Sequence, residues 1–144
     1  EWGNNAQLAH KMGWQWERCV GEQNLLNIGR LPETQSLAVL GAHLSAELGR
    51  DPVMAGDMAK QIKTLAWCTG GAQSFFTQAA SEGVDAYITG EISEPQYHLA
   101  HETGVAFISA GHHATERYGV QALAEAMKRQ FGLDIYFFDE QNPA

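Results

Sequence analysis

Three short apolar runs in this chain each end in a glycine-containing turn and are followed by a segment with helical spacing. Short apolar runs bounded by glycine are typical of buried strands. In chain order, the strands and the helices that follow them are predicted at 62–68 and 74–80, 84–90 and 93–101, and 105–110 and 115–131. Strand–helix units at this spacing favour right-handed crossovers between parallel strands. The sequence therefore predicts an α/β fold with a mostly parallel, mixed sheet and flanking helices.

The other predicted elements lie before and after these units. They are helices at 4–12 and 34–48 and strands at 14–20, 25–31, 51–56 and 133–138. Pro32 is expected to interrupt the second of these strands, because proline has no N–H group to donate to a sheet. Residues 1–33 are predicted to be a connecting segment of a helix and short strands. Residues 34–144 are predicted to be the α/β domain.

Composition excludes several classes of function. The 144 residues can bury the core of one domain. Nine basic residues and a net charge of −8 argue against nucleic-acid binding, which needs clustered lysine and arginine. No apolar run reaches the length of a membrane span. Cys19 and Cys68 lie far apart, so a disulfide framework is not expected and a cytoplasmic location is predicted.

His112 and Glu116 lie at the junction between the third apolar run and the helix that follows it. Residues four apart share one face of a helix. An imidazole and a carboxylate on one face can bind a divalent cation together. A helix start in which Glu116 complements the dipole and His112 donates near the cap is the alternative. The spacing alone leaves both interpretations open.

The other two strand ends carry a second set of candidate residues. Gly70 and Gly71 follow the first apolar run, and Thr89 ends the second. A glycine turn between a strand and a helix exposes N–H groups that can bind an anion. A tight turn that needs glycine for its backbone angles explains the same residues. Because the ends of parallel strands meet at one edge of a sheet, these residues are expected to lie near His112.

Four blocks of the sequence together resemble a known family. They are AWCTGGAQSF, DAYITGEISE, GHHATERYGVQALAE and FFDEQNPA, in this order. They are similar to the dinuclear metal centre family, whose members are also called NIF-three-like or YbgI-like proteins and GTP cyclohydrolase 1 type 2 homologues. The resemblance implies that His112 and Glu116 are metal ligands and that His113 is not. It also implies that His98 faces the site as a substrate-binding or supporting residue.

The resemblance carries further implications for the fold and assembly. Family members have two similar α/β repeats, intertwined, and form ring-like homo-oligomers. Their remaining metal ligands, a His-His pair and an aspartate, lie upstream of the stretch that this chain matches. The chain is therefore expected to be the C-terminal part of such a protein, and by itself to bind metal poorly and to be inactive. Trp2, Trp14 and Trp16 are expected near a surface used for self-association. For Trp14 and Trp16 taken alone, packing against a helix is the favoured alternative.

Two functions follow from this resemblance. The first is a metal-dependent hydrolase of a small nucleotide-like or heterocyclic substrate, with two divalent ions per intact protein. The second is a non-catalytic metal-binding or protein-interaction module. Histidine with carboxylate suits zinc, iron and manganese about equally, so the residues do not select the metal.

Overall fold

The strands of this chain form one mixed sheet in the computed structural model, which describes residues 2–140 and 142–144. They are β1 (Gln15–Val20), β2 (Leu26–Ser36), β3 (Val53–Ala55), β4 (Gln61–Trp67), β5 (Ala86–Thr89) and β6 (Ala106–Ser109). Their order across the sheet is β1-β2-β4-β5-β6-β3. The pairs β4/β5 and β5/β6 are parallel, and the pairs toward both edges are antiparallel. The predicted α/β class with a mixed sheet is confirmed.

Helices cover both faces of the sheet. They are α1 (Asn4–Met12), α2 (Leu37–Leu48), α3 (Phe76–Ser81), α4 (Glu94–Thr103), α5 (His112–Glu116) and α6 (Tyr118–Phe131). The leucines of α2 recur at helical spacing and are buried, so one side of this helix packs on the sheet. Buried residues of α1, α2 and α5 form one core layer, and those of α3 and α4 belong to the other.

Alternate residues of the parallel strands face these two layers. Ala86 and Ile88 of β5 belong to the layer under α1 and α2, whereas Tyr87 belongs to the layer under α3 and α4. Strands that are buried on both faces need apolar residues at every position. This requirement explains why the sequence shows continuous apolar runs here instead of an alternating pattern.

The structure corrects two predicted boundaries near Pro32. Strand β2 does not end before this proline but continues to Ser36. Its pairing with β4 is irregular between Arg30 and Gln35, so the sheet demands no hydrogen bond from Pro32. Helix α2 consequently begins at Leu37 instead of Thr34. The Ser36 hydroxyl caps it by accepting a hydrogen bond from the Val39 N–H at 3.3 Å.

The predicted final strand at 133–138 is wrong. This segment has no sheet partner in the described part of the chain, and Tyr136 and Phe138 are 77% and 86% exposed. The place beside β6 is taken by β3, which pairs with it antiparallel. An apolar composition suited to a strand therefore could not reveal that the edge was already occupied. The predicted helix over 115–131 is also divided, because α5 ends at Glu116 and α6 begins at Tyr118.

Residues 2–33 share the same sheet and core as the rest of the chain. They supply α1, β1 and most of β2, and Leu8 and Met12 are buried in the first layer. Trp14 is buried with its ring 5.2 Å from that of Trp67, which agrees with the packing alternative and not with an interface. Trp2 and Trp16 are exposed. Among the described residues, each helix is too short or too polar to cross a membrane.

Asp85 fixes the start of β5 to β4. Its Oδ2 accepts hydrogen bonds from the N–H groups of Lys63 and Thr64 and from the Thr64 hydroxyl, at 2.8–2.9 Å. Burial acts to raise the pKa of Asp85, but these hydrogen bonds outweigh it and lower the pKa below its ordinary value. A carboxyl group with a lowered pKa stabilises the fold above its ordinary pKa, and this stabilisation is lost as the pH falls.

Replacing Asp85 should therefore weaken the fold. We expect Asp85→Ala to lower the free energy of unfolding by about 2–3 kcal/mol at neutral pH, since it leaves two partly buried N–H groups unpaired. The Asp85→Asn variant keeps the shape and one acceptor oxygen, so its loss should be smaller. Urea unfolding at pH 7 and pH 3 measures both effects, and the variants should differ less from the parent at pH 3. A loss under about 0.5 kcal/mol for Asp85→Ala would contradict this role.

Candidate metal centre

The ends of the three parallel strands are joined by backbone hydrogen bonds. The Gly90 N–H donates to the Gly70 carbonyl at 2.8 Å, and the Gly111 N–H donates to the Gly90 carbonyl at 3.0 Å. Gly111 immediately precedes α5, so this ladder fixes where the helix begins. A Cβ atom at Gly90 would lie 2.6 Å from the Cα of His112. Glycine is therefore required at this position for the helix to approach so closely.

His112 lies between two carboxylates. Its Nε2 is 3.1 Å from Oε2 of Glu116, one turn further along the chain. Its Nδ1 is 2.6 Å from Oε1 of Glu91, which follows the end of β5. All three side chains remain partly exposed to solvent. The structure thus brings the two predicted ligands together and adds a third group, Glu91.

The glycine turn after β4 packs directly against these groups. Gly70 has φ +72°, and a Cβ atom there would lie 2.5 Å from Oε1 of Glu116 and 3.1 Å from Nε2 of His112. A Cβ atom at Gly71 would lie 3.2 Å from Oε1 of Glu91. Both positions therefore have a structural reason to be glycine. Their predicted role in binding an anion of the substrate stays a prediction.

The hydroxyl groups of Thr89 and Thr115 hold this turn by hydrogen bonds to its backbone. The buried Thr89 hydroxyl donates to the Gly70 carbonyl at 3.0 Å and accepts from the Ala72 N–H at 3.3 Å. The Thr115 hydroxyl accepts from the Gly70 N–H at 3.1 Å. Thr89 was predicted to be a substrate-binding or supporting residue, and its hydroxyl is engaged in holding the turn.

The other candidate histidines lie outside this group. His98 is exposed on α4, and its ring packs edge-on against that of Tyr97, with the centroids 5.7 Å apart. The contacts of the described residues do not join His98 to His112 or Glu116, and its role as a substrate-binding or supporting residue stays a prediction. His113 faces the C-terminal segment, where its Nε2 is 2.9 Å from Oδ1 of Asp139. The structure brings together His112 and Glu116 but does not bring His98 or His113 to them.

The charges of the three groups reinforce one another. The hydrogen bond to Glu91 raises the pKa of His112, against the opposing effect of partial burial, and Glu116 adds to the increase. Hydrogen bonds from His112 and Gln73 lower the pKa of Glu91. The site therefore holds two carboxylates around one imidazole, an excess of negative charge that favours a cation.

The donor groups fit part of a divalent metal site. Two ligands that each lie about 2.0–2.2 Å from one ion are themselves about 3 Å apart, which is the separation of His112 Nε2 and Glu116 Oε2. The backbone of Gly70 packs closely against both side chains. A catalytic ion usually has about three protein ligands. Within the described residues, no cluster of three or more suitable side chains surrounds one point.

Glu91 is a residue of the site that the sequence analysis did not identify. The available signal was a carboxylate two residues after the end of a strand that neighbours the His112 strand. Its contact with His112 depends on the close approach of the chain at Gly90. A periodic pattern in the sequence cannot reveal a distance of this kind.

The Duf34/NIF3 family model, described as NGG1p interacting factor 3, matches residues 1–143. The chain belongs to this family. A GTP cyclohydrolase 1 type 2 homolog from Neisseria meningitidis serogroup B is 60% identical over 99% of the chain and 57% of that relative. The protein of this name from Escherichia coli K12 is 46% identical over 100% of the chain and 58% of that relative. The resemblance stated from the four sequence blocks is confirmed.

A solved structure supports the same assignment. The structure described as protein ybgI, of unknown function, superposes with a TM-score of 0.95 at 45% identity. It is covered over 58% of its length by the whole of this chain. This Duf34/NIF3 chain therefore spans somewhat more than half the length of the relatives it matches. The activity of a complete family member is accordingly treated as a proposal.

Gly70 offers a test of the site's geometry that needs no metal. Gly49, with φ +73° and no heavy atom near an added Cβ, is its matched control. Gly70→Ala and Gly49→Ala should each lower the free energy of unfolding by about 1 kcal/mol, because alanine disfavours this backbone region. Only Gly70→Ala should displace the Glu116 carboxylate and so change the NMR signals of the His112 ring. Unchanged His112 signals in Gly70→Ala would contradict the close packing described here.

Proposed function

We propose that this Duf34/NIF3 chain supplies His112 and Glu116 to a two-metal centre that hydrolyses a small nucleotide-like or heterocyclic substrate. The observation that carries the proposal is the 3.1 Å separation of His112 Nε2 and Glu116 Oε2 beside a cleft that both side chains line. The relatives named GTP cyclohydrolase 1 type 2 homolog support the substrate class.

The residues of the chain have separate tasks in this proposal. His112 and Glu116 hold one side of the centre, and the Thr69 hydroxyl orients Glu116 by donating to its Oε1 at 3.5 Å. A cleft of about 530 Å³ adjoins both side chains and is also lined by Phe137 and Phe138. This volume is typical of a site for a small molecule. When bound, two divalent ions would supply Lewis acidity and lower the pKa of water.

The metal and its other ligands belong to the proposal as well. Zinc, iron and manganese all suit histidine with carboxylate. Two ligands are too few for a catalytic ion, so we propose that the others lie in the part of the protein beyond the matched 57–58% of its relatives. The unpaired Cys19 and Cys68 support a cytoplasmic location.

A non-catalytic interaction protein is the second candidate. The family description as an interacting factor favours it, as does an exposed apolar stripe on α6. The residues of this stripe are Val120, Leu123, Met127 and Phe131. Apolar surface of this kind usually marks a contact with another protein. We propose that Trp2, Trp16 and this stripe contribute to a homo-oligomer, which is compatible with either function.

A turnover assay on the complete protein separates the two candidates. The purified protein is tested with a panel of nucleotides and cyclic amides, with zinc, iron or manganese and with chelator. We expect turnover that chelator abolishes. His112→Ala and Glu116→Gln should each reduce kcat/KM by about 100-fold or more and lower the bound metal, since each removes a ligand.

His101→Ala is the matched control for this assay, because His101 is exposed on α4 and contacts the ring of Tyr97. It should retain parental turnover and metal content. Metal binding without turnover of any tested compound would favour the interaction protein. Full metal-dependent turnover by His112→Ala would refute the assignment of the site.

A further inference from the structure

Glu91 contacts the ring nitrogen of His112 that faces away from Glu116. The two carboxylates lie on opposite sides of the imidazole, with Glu91 Oε1 at 2.6 Å from Nδ1 and Glu116 Oε2 at 3.1 Å from Nε2. A neutral imidazole carries one proton, which only one of the two carboxylates can accept in a hydrogen bond. The shorter contact favours Glu91 as the acceptor of that proton. The lone pair is then left on Nε2, the nitrogen beside Glu116.

The side-chain amide of the partly buried Gln73 holds the Glu91 carboxylate. Gln73 Nε2 donates to Glu91 Oε2 at 3.2 Å, while the buried Gln73 Oε1 has no hydrogen-bond partner within the described part of the chain. Leaving a buried acceptor unpaired costs about 1–3 kcal/mol. Turning the amide over would place its oxygen against the carboxylate of Glu91. The orientation of Gln73 is thus the one that Glu91 requires.

The support for Glu91 extends to the start of α4. The Gln73 carbonyl accepts a hydrogen bond from Gln96 Nε2 at 3.2 Å, and Gln96 Oε1 accepts one from the Ser93 N–H at 3.1 Å. Gln96 is itself buried. Gly71 leaves the room that Glu91 occupies. A sequence of contacts therefore runs from the start of α4 through Gln96, Gln73 and Glu91 to His112.

We propose that Glu91 is a positioning residue, which keeps the proton of neutral His112 on Nδ1 and so presents the Nε2 lone pair to a metal ion. The inference deepens the proposed function and rests on it, since the ion is the one that His112 and Glu116 would bind. Carboxylates that accept the outer N–H of a histidine ligand fix its tautomer and its ring orientation. Glu91 does not itself reach the ion, because it lies across the ring from Nε2.

The first measurement determines the tautomer of His112 in the metal-free protein. Long-range ¹H–¹⁵N spectra of the metal-free complete protein are recorded at rising pH, and the tautomer is determined once the His112 signals no longer change with pH. We expect the parent to carry the His112 proton on Nδ1 and Glu91→Ala to carry it mainly on Nε2. Glu91→Gln keeps an acceptor oxygen and should keep the Nδ1 proton. Glu94→Ala, which removes an exposed carboxylate at the start of α4, is the matched control and should leave the tautomer unchanged.

The second measurement is zinc affinity by calorimetry on the same proteins. Loss of an outer partner typically lowers metal affinity about 10–100-fold. We expect a loss in this range for Glu91→Ala, a smaller loss for Glu91→Gln and none for Glu94→Ala. A merely structural role for Glu91 would change stability but would not move the tautomer together with the affinity.

The two measurements distinguish failure of this inference from failure of the proposed function. An Nε2 proton in the parent, or an unchanged tautomer or zinc affinity in Glu91→Ala, would overturn the positioning role while leaving a metal site intact. A parent protein that binds no zinc, iron or manganese would overturn the proposed function and this role with it.

Discussion

Every feature of the candidate site depends on the backbone hydrogen bonds between the ends of the parallel strands. They connect Gly70, Gly90 and Gly111, so that the turn after each strand rests on the turn after its neighbour. Only glycine permits the approach at Gly90, where an added Cβ would collide with the backbone of His112. The result is that three side chains from two neighbouring units meet at one edge of the sheet, Glu91 from one and His112 and Glu116 from the other.

The parts of the fold that could be predicted from the sequence are those that a local pattern of apolar residues determines. The apolar runs at β4, β5 and β6 and the leucine stripe of α2 are local signals. Burial of a strand on both faces gives a continuous apolar run, and burial of one helix face gives a periodic stripe. The boundaries near Pro32 and the segment at 133–138 were wrong for a different reason. They depend on which neighbour a strand finds in the sheet, and composition carries no record of that neighbour.

The candidate site shows the same division. His112 and Glu116 could be paired from their spacing of four on a helix, which brings them to 3.1 Å. The contact between His112 and Glu91 joins residues 21 apart in sequence, and it follows from the meeting of two turns. Gln73 approaches Glu91 from a third unit. Contacts of this kind need the assembled sheet before they can be recognised.

The central claim is that His112 Nε2 and Glu116 share one metal ion while Glu91 remains outside its coordination sphere. A crystal structure of the complete protein grown with zinc, with anomalous data collected at the zinc edge, tests it most directly. The account predicts an ion about 2.0–2.2 Å from both His112 Nε2 and a Glu116 oxygen, with Glu91 still hydrogen-bonded to Nδ1. An ion bound to His112 Nδ1 or to Glu91, with Glu116 turned away, would contradict it.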